Sequence, residues 1–171
     1  MRIFIAIDLP ETIKEKLKKI KVDERIAEMN SPGDYHLTLK FLGEISKRQI
    51  EIVQNNLRKI KFKGFKLNLS RIGFFPNSNF INIVWAGVTP KRKITELKHR
   101  IDDGLMDLFQ RDKRFDPHIT LGRVKDIKDK IKFKESLDLE IEGTFKVNNF
   151  KLIKSKLGKN GAEYETLEEF A

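Results

Sequence analysis

His36-Leu37-Thr38-Leu39 and His118-Ile119-Thr120-Leu121 decide the reading of this chain. They use two of its three histidines and lie 82 positions apart. Independent positions would give two such matches from three histidines roughly once in ten thousand. The recurrence therefore signals one arrangement built twice. On a β-strand alternate residues share a face. His36 and Thr38 then point one way, and Leu37 and Leu39 the other. His118 and Thr120 are set against Ile119 and Leu121 in the same manner. Each apolar pair anchors its strand to a core, and each polar pair faces something that is not core.

Similar blocks recur around these motifs at an offset of 80. Ile3-Phe4-Ile5-Ala6 with Pro10 matches Ile83-Val84-Trp85-Ala86 with Pro90, and Leu17 matches Leu97. Phe65-Lys66-Leu67-Asn68 matches Phe145-Lys146-Val147-Asn148. Blocks in common register indicate an internal duplication. Two copies predict one α+β domain over residues 1–171, bilobal and pseudo-twofold. Each lobe is expected to be an antiparallel-rich sheet with helices on its outer face. The groove between the lobes would collect both polar faces.

Local patterns fill in the elements. Arg2 to Asp8, Tyr35 to Leu42, Phe65 to Phe75, Phe80 to Val88 and Ile119 to Val124 read as strands. Pro10 and Pro90 open helices, whose apolar stripes begin at Ile13 and Ile94. Ile50, Val53, Leu57 and Ile60 stripe a further helix. Lys125 to Ser136 reads as a short helix or loop. A tight turn at Gly158 to Gly161 joins a closing hairpin that ends at Phe170.

The chain has no cysteine. That excludes disulfides, cysteine-ligated zinc and thiol nucleophiles. No run of 18 apolar residues is present, so the expected location is the cytoplasm, without a membrane partner. A net charge of +10 suits a polyanion such as RNA, and equally suits solvated lysine-rich helix faces.

Two histidines fit acid–base cleavage of a phosphodiester. One neutral imidazole takes a proton from the attacking hydroxyl, and one imidazolium protonates the leaving oxygen. An ordinary histidine pKa of about 6.5 lets both forms exist near neutrality. Thr38 and Thr120 can donate to non-bridging phosphate oxygens. Two histidines do not make a metal site, and no metal-binding His spacing is present, so no metal is expected. His99 lies off its helix stripe and is expected to be solvated.

At these residues the chain resembles the two-histidine phosphoesterase superfamily. Within it, the chain resembles the RNA 2',3'-cyclic phosphodiesterases, also called the 2'-5' RNA ligase family. Arg2-Ile3-Phe4-Ile5-Ala6-Ile7-Asp8 is similar to the family's opening strand. His36 to Glu44 and Pro117 to Arg123 are similar to its two motifs. Phe75-Pro76-Asn77, Trp85-Ala86-Gly87 and the segment from Ser155 to Leu167 also look similar.

The resemblance implies hydrolysis of a terminal RNA 2',3'-cyclic phosphate to a 2'-phosphate, with reversible 2'-5' joining of RNA ends. It implies that His36 is the proton donor and His118 the acceptor. Thr38 and Thr120 would hold the phosphate. No cofactor is implied. RNA with cyclic-phosphate ends, tRNA halves among them, is the expected partner of a monomer. Many members carry Arg where this chain has Asn82, which leaves any substrate contact from that strand open.

Lys40 and Arg123 are further substrate-binding candidates. Lys40 shares strand parity with His36. Arg123 has the parity of Ile119 and reaches the groove only if Gly122 seats a bulge. Tyr35, Phe74 and Phe75 are candidates to stack a base. Two competing readings are open at this point. One is a relative acting on a nucleotide cyclic phosphate or a 2'-5' oligoadenylate. The other is a non-catalytic RNA-binding module.

Overall fold

The computed structural model describes residues 2–171. In chain order the elements are β1 (Arg2–Asp8), α1 (Glu11–Lys18), β2 (Ala27–Asn30), β3 (His36–Glu44), α2 (Lys47–Leu57), β4 (Phe65–Pro76) and β5 (Ile81–Thr89). There follow α3 (Lys91–Gly104), β6 (His118–Ile127), α4 (Lys130–Leu137), β7 (Thr144–Val147), β8 (Phe150–Gly158) and β9 (Gly161–Phe170). Pro10 and Pro90 stand at the N-caps of α1 and α3 in extended conformation. A Ser46–Gln49 capping box starts α2, and the Asp129 side chain accepts from the Lys132 N–H at the start of α4. The apolar stripes end early: Ile20, Ile60 and Leu108 lie beyond their helices.

Every strand pairing is antiparallel. The strand order is β7-β4-β5-β6-β3-β1-β8-β9, with β2 alongside β6. The α+β class is as expected, with one difference. The halves do not carry separate sheets; one nine-stranded sheet runs through both. On one face of it Ile3, Ile5, Ile7, Leu37, Val84, Ala86 and Ile119 join the core that the helices cover with Ile13, Leu17, Val53, Leu97 and Ile101. The other face is left for the polar pairs.

The two central strands, β3 and β6, meet at one register pair, Leu37 opposite Ile119. Both side chains are fully buried, and truncating either to Ala would cost about 2–5 kcal/mol. At the far side of the sheet Lys66 pairs with Lys146. Each of these pairs joins residues that correspond in the repeat. Corresponding residues face each other only where a pseudo-twofold axis passes, so the axis runs through both.

Pairing also moves one block of the repeat by one place. Ala6 lies beside Thr38, and Trp85 beside Thr120, so β1 and β5 correspond at an offset of 79 rather than 80. A one-residue slip exchanges the faces of a strand. At 79, Trp85 shares the polar face with Thr120, and Val84 and Ala86 lie in the core.

Each central strand carries a β-bulge at the same place. Leu39 has no partner on β1, because Ala6 pairs with Thr38 and Ile5 with Lys40. Leu121 has no partner on β5, because Trp85 pairs with Thr120 and Val84 with Gly122. Beyond each bulge the alternation of faces reverses.

Candidate active site

The Leu37–Ile119 pair directs both aliphatic anchors into the core. His36, Thr38, His118 and Thr120 therefore share the opposite face, on neighbouring strands. All four are partly buried. In an antiparallel pair centred on Leu37 and Ile119, His36 falls across from Thr120 and Thr38 across from His118. Each histidine thus has a threonine on its own strand and another on the facing one.

The His118 ring is oriented by the backbone before it. Its Nδ1 lies 2.7 Å from the carbonyl oxygen of Asp116. A carbonyl only accepts, so Nδ1 carries the proton and Nε2 keeps a lone pair when the ring is neutral. Phe75 meets the ring edge-on at 4.8 Å, and Trp85 packs at 6.2 Å. Gly73 makes room for that indole, since a Cβ there would collide with its ring.

The surroundings of His36 are different. Its Nε2 lies 3.4 Å from Asp34 Oδ2, and only 9 % of its side chain is exposed. Asp8, on β1, pairs with it across the sheet. Lys14 of α1 donates to both carboxylates, at 2.9 Å to Asp8 and 2.9 Å to Asp34. Lys151 of β8 donates to Asp8 at 3.0 Å. Tyr164 and Phe4 meet the imidazole edge-on at 4.9 and 5.7 Å.

Burial lowers the His36 pKa, and Asp34 and Asp8 oppose that less strongly; Lys14 and Lys151 add to the lowering. Burial raises the Asp8 carboxyl, but Lys14 and Lys151 outweigh it and hold the pKa below the ordinary value. Asp8, Asp34 and His36 have the spacing of cation ligands. The Lys14 ammonium already bridges the two carboxylates and supplies that positive charge. The sequence places an aspartate two residues before each histidine, but only the Asp34 carboxylate reaches its ring; Asp116 offers His118 its backbone carbonyl. The fold brings two carboxylates to His36, one across a strand pair and one from the loop before β3.

The bulges sort the remaining candidates. The Leu121 bulge turns Arg123, exposed and paired with Ile83, onto the face of Thr120. The Leu39 bulge has the opposite consequence for Lys40, which is not available to substrate. Lys40 is 3 % exposed and lies on the helix side, donating to Asp102 at 2.7 Å and to the Gln110 carbonyl at 2.9 Å. Lys98 shares Asp102 at 3.0 Å. In place of Lys40, Phe41 emerges on the open face, 73 % exposed and against Phe4. Tyr35 is buried in the core, and Phe74 packs on Phe133 beneath the sheet, so neither can stack a base. Phe75 keeps its place on the open face. Asn82 and His99 are exposed.

Comparison with known proteins agrees with this geometry. The model of the LigT-like phosphoesterase family matches residues 7–85 and 88–164, one stretch in each half. An RNA 2',3'-cyclic phosphodiesterase of Methanocaldococcus jannaschii is 35% identical over 99% of this chain and 100% of its own. The enzyme of that name from Thermotoga maritima is 34% identical over 99% and 94%. Among solved structures, TT0787 of Thermus thermophilus superposes with a TM-score of 0.82 at 26% identity, covering 99% of this chain and 97% of that one. Escherichia coli LigT, complexed with 3'-AMP, gives 0.77 at 27% identity, covering 99% and 96%. The chain is a member of the LigT-like phosphoesterase family.

Proposed function

We propose that this phosphoesterase hydrolyses the 2',3'-cyclic phosphate at RNA ends to a 2'-phosphate, with His118 as base and His36 as acid. The carrying observation is the pair of His-x-Thr units on one face of two strands that meet at Leu37 and Ile119. The names of the relatives supply the substrate.

In the step, Nε2 of His118 takes the proton of the attacking water. The water oxygen bonds to phosphorus, and the P–O3' bond breaks. His36 gives its proton to O3', leaving a 3'-hydroxyl and a 2'-phosphate. Thr38 and Thr120 donate to the non-bridging oxygens as charge builds there. Arg123 binds the phosphate from the same face. An RNA 5'-hydroxyl entering in place of water gives a 2'-5' linkage, which makes joining the reverse of cleavage.

Both His-x-Thr units come from one chain, so a monomer holds a complete site. RNA ends left by cleavage, tRNA halves among them, are the proposed substrates in the cytoplasm. No helix among the described residues is long and apolar enough to cross a membrane. The test is an activity panel of cyclic-phosphate mononucleotides, cyclic-phosphate RNA and 2'-5' oligonucleotides. Preferential turnover of cyclic-phosphate RNA is expected. Turnover confined to mononucleotides or to 2'-5' oligoadenylate would overturn the RNA reading.

A further inference from the structure

The fold makes His36 and His118 equivalent, yet the proposed reaction needs them to be unlike. Something outside the motif must break the symmetry. The residues around the two rings can be compared place by place. Across from His36 stands Asp8; across from His118 stands Gly87, which has no side chain. Two residues before His36, Asp34 offers its carboxylate to the ring; two residues before His118, Asp116 offers its backbone carbonyl. On the helix behind, Lys14 corresponds to Ile94, which is wholly buried among apolar neighbours. Charge is thus concentrated around one ring. The other is held by a neutral acceptor that fixes its tautomer.

We propose that Asp34 and Asp8, clamped by Lys14, are positioning residues that commit His36 to the role of proton donor. The proposal rests on the acid–base reading of the site. Each carboxylate stabilises the imidazolium that His36 must be before it can donate. Lys14 is itself buried, with 8 % of its side chain exposed, and its two short contacts hold both carboxylates in place. It also tempers their field, so that His36 can release the proton. The groups facing His36 are Asp8 from β1, Lys14 from α1, Asp34 from the loop before β3, Lys151 from β8 and Tyr164 from β9. Asp8 and Asp34 are the anions among them. Removing one of these carboxylates and removing the Lys14 cation should therefore act in opposite directions, which a generic packing role would not produce.

Kinetics can read the role directly. Well above the titration of both rings, kcat/KM is proportional to the imidazolium fraction of the donor. Well below it, kcat/KM is proportional to the free-base fraction of the acceptor. This holds whichever ring titrates first. The experiment compares wild type, Asp34→Asn, Asp8→Asn and Lys14→Gln. It records pH profiles of kcat/KM on cyclic-phosphate RNA, NMR titrations of both imidazoles, and thermal melts.

In the two Asp→Asn variants the His36 midpoint should fall. The alkaline side of the profile should drop by the same factor as the imidazolium fraction, with the acid side unchanged. In Lys14→Gln the midpoint and the alkaline side should rise together. Asp34→Glu should restore most of the loss. His118 should titrate as in wild type throughout. A change on the acid side would make His36 the acceptor and overturn the proposal. An unmoved His36 midpoint would overturn it too, and NMR detects that without turnover. Wild-type inactivity on cyclic-phosphate RNA would instead refute the substrate reading, while the titrations still report what the cluster does to His36.

Discussion

Leu37 and Ile119 correspond to each other in the two halves of the chain and face each other across the one register pair between β3 and β6. That contact places the two His-x-Thr units on one face. A strand shifted by one residue would turn one unit toward the helices and leave a single histidine in the groove. The geometry of the proposed site therefore follows from two apolar residues whose side chains are buried in the core.

Replacing either histidine should remove most of the chemistry. His36→Ala and His118→Ala are each expected to lower single-turnover hydrolysis by about 10²–10⁴-fold. Circular dichroism should show the wild-type fold in both, because neither ring belongs to the main apolar core. Near wild-type turnover by either variant would end the two-histidine mechanism.

Lys40 should matter for stability and not for turnover. It forms a buried cluster with Asp102 and Lys98 on the far side of the sheet. Lys40→Met leaves Lys98 alone to neutralise both Asp102 and Asp112, with Asp112 half-exposed, so the loss should be at the low end for a broken buried pair, about 3 kcal/mol. Denaturant melts measure the first quantity. Turnover well below the melting temperature, expected within a factor of about two of wild type, measures the second. A large loss of kcat/KM in a fully folded variant would return Lys40 to the substrate.

The bulges explain what the sequence could and could not reveal. Alternation along β3 and β6 identifies His36, Thr38, His118 and Thr120, because each motif lies before its bulge. Gly122 hints at the second bulge and so leaves the face of Arg123 open in the sequence, until its pairing with Ile83 turns it toward Thr120. The position corresponding to Gly122 in the first half is Lys40, whose side chain gives no such signal, so plain alternation aims it the wrong way and misses Phe41. Asp8, and the difference between Asp34 and the equivalent Asp116, are illegible for another reason. The closeness of Asp8 and Asp34 to His36 depends on which strands become neighbours and on how the loop before β3 returns. Lys14 is hidden in a helix that is otherwise lysine-rich. The β1 and β5 repeat reads one place off because its identities, Ile3 with Ile83, Ala6 with Ala86 and Pro10 with Pro90, all fall at 80, whereas strand pairing follows the faces and not the identities. Pairing against β3 and β6 resolves it.

Stability should fall on mild acidification because of His36. Burial holds its pKa below the ordinary 6.5. The unfolded chain then binds the proton more readily than the folded one. Stability from the neutral ring is complete above about pH 6.5 and is lost as pH falls below it toward the folded value. Asp8 acts in a separate window. Its carboxyl is held below 3.8, so its contribution is intact above that pH and disappears as pH falls through the lowered value. Melting temperature between about pH 7 and pH 5, a range that spans the ordinary histidine titration, should decline in wild type and flatten in His36→Gln. An equal decline in both proteins would assign the effect to another group.

Lys14 already occupies the space between Asp8 and Asp34, so a divalent ion has no need to enter beside His36. Hydrolysis should persist in excess chelator, and loss that a divalent ion restores would overturn this. With His36 as the proposed donor to O3', phosphorus should stay on O2' and the product should be a 2'-phosphate. When an RNA 5'-hydroxyl attacks instead, His118 takes its proton, and the junction must be 2'-5'. By microscopic reversibility the same site cleaves 2'-5' junctions to a cyclic end, with the two rings exchanging roles. In that direction His36 removes the 3'-hydroxyl proton, and His118 protonates the departing 5'-oxygen. Chromatography against authentic 2'- and 3'-phosphate standards reads the hydrolysis product. Nuclease typing reads the junction in any joined RNA. A 3'-phosphate, or a 3'-5' junction, would mean that O2' is the oxygen released and that acid and base are arranged the other way round.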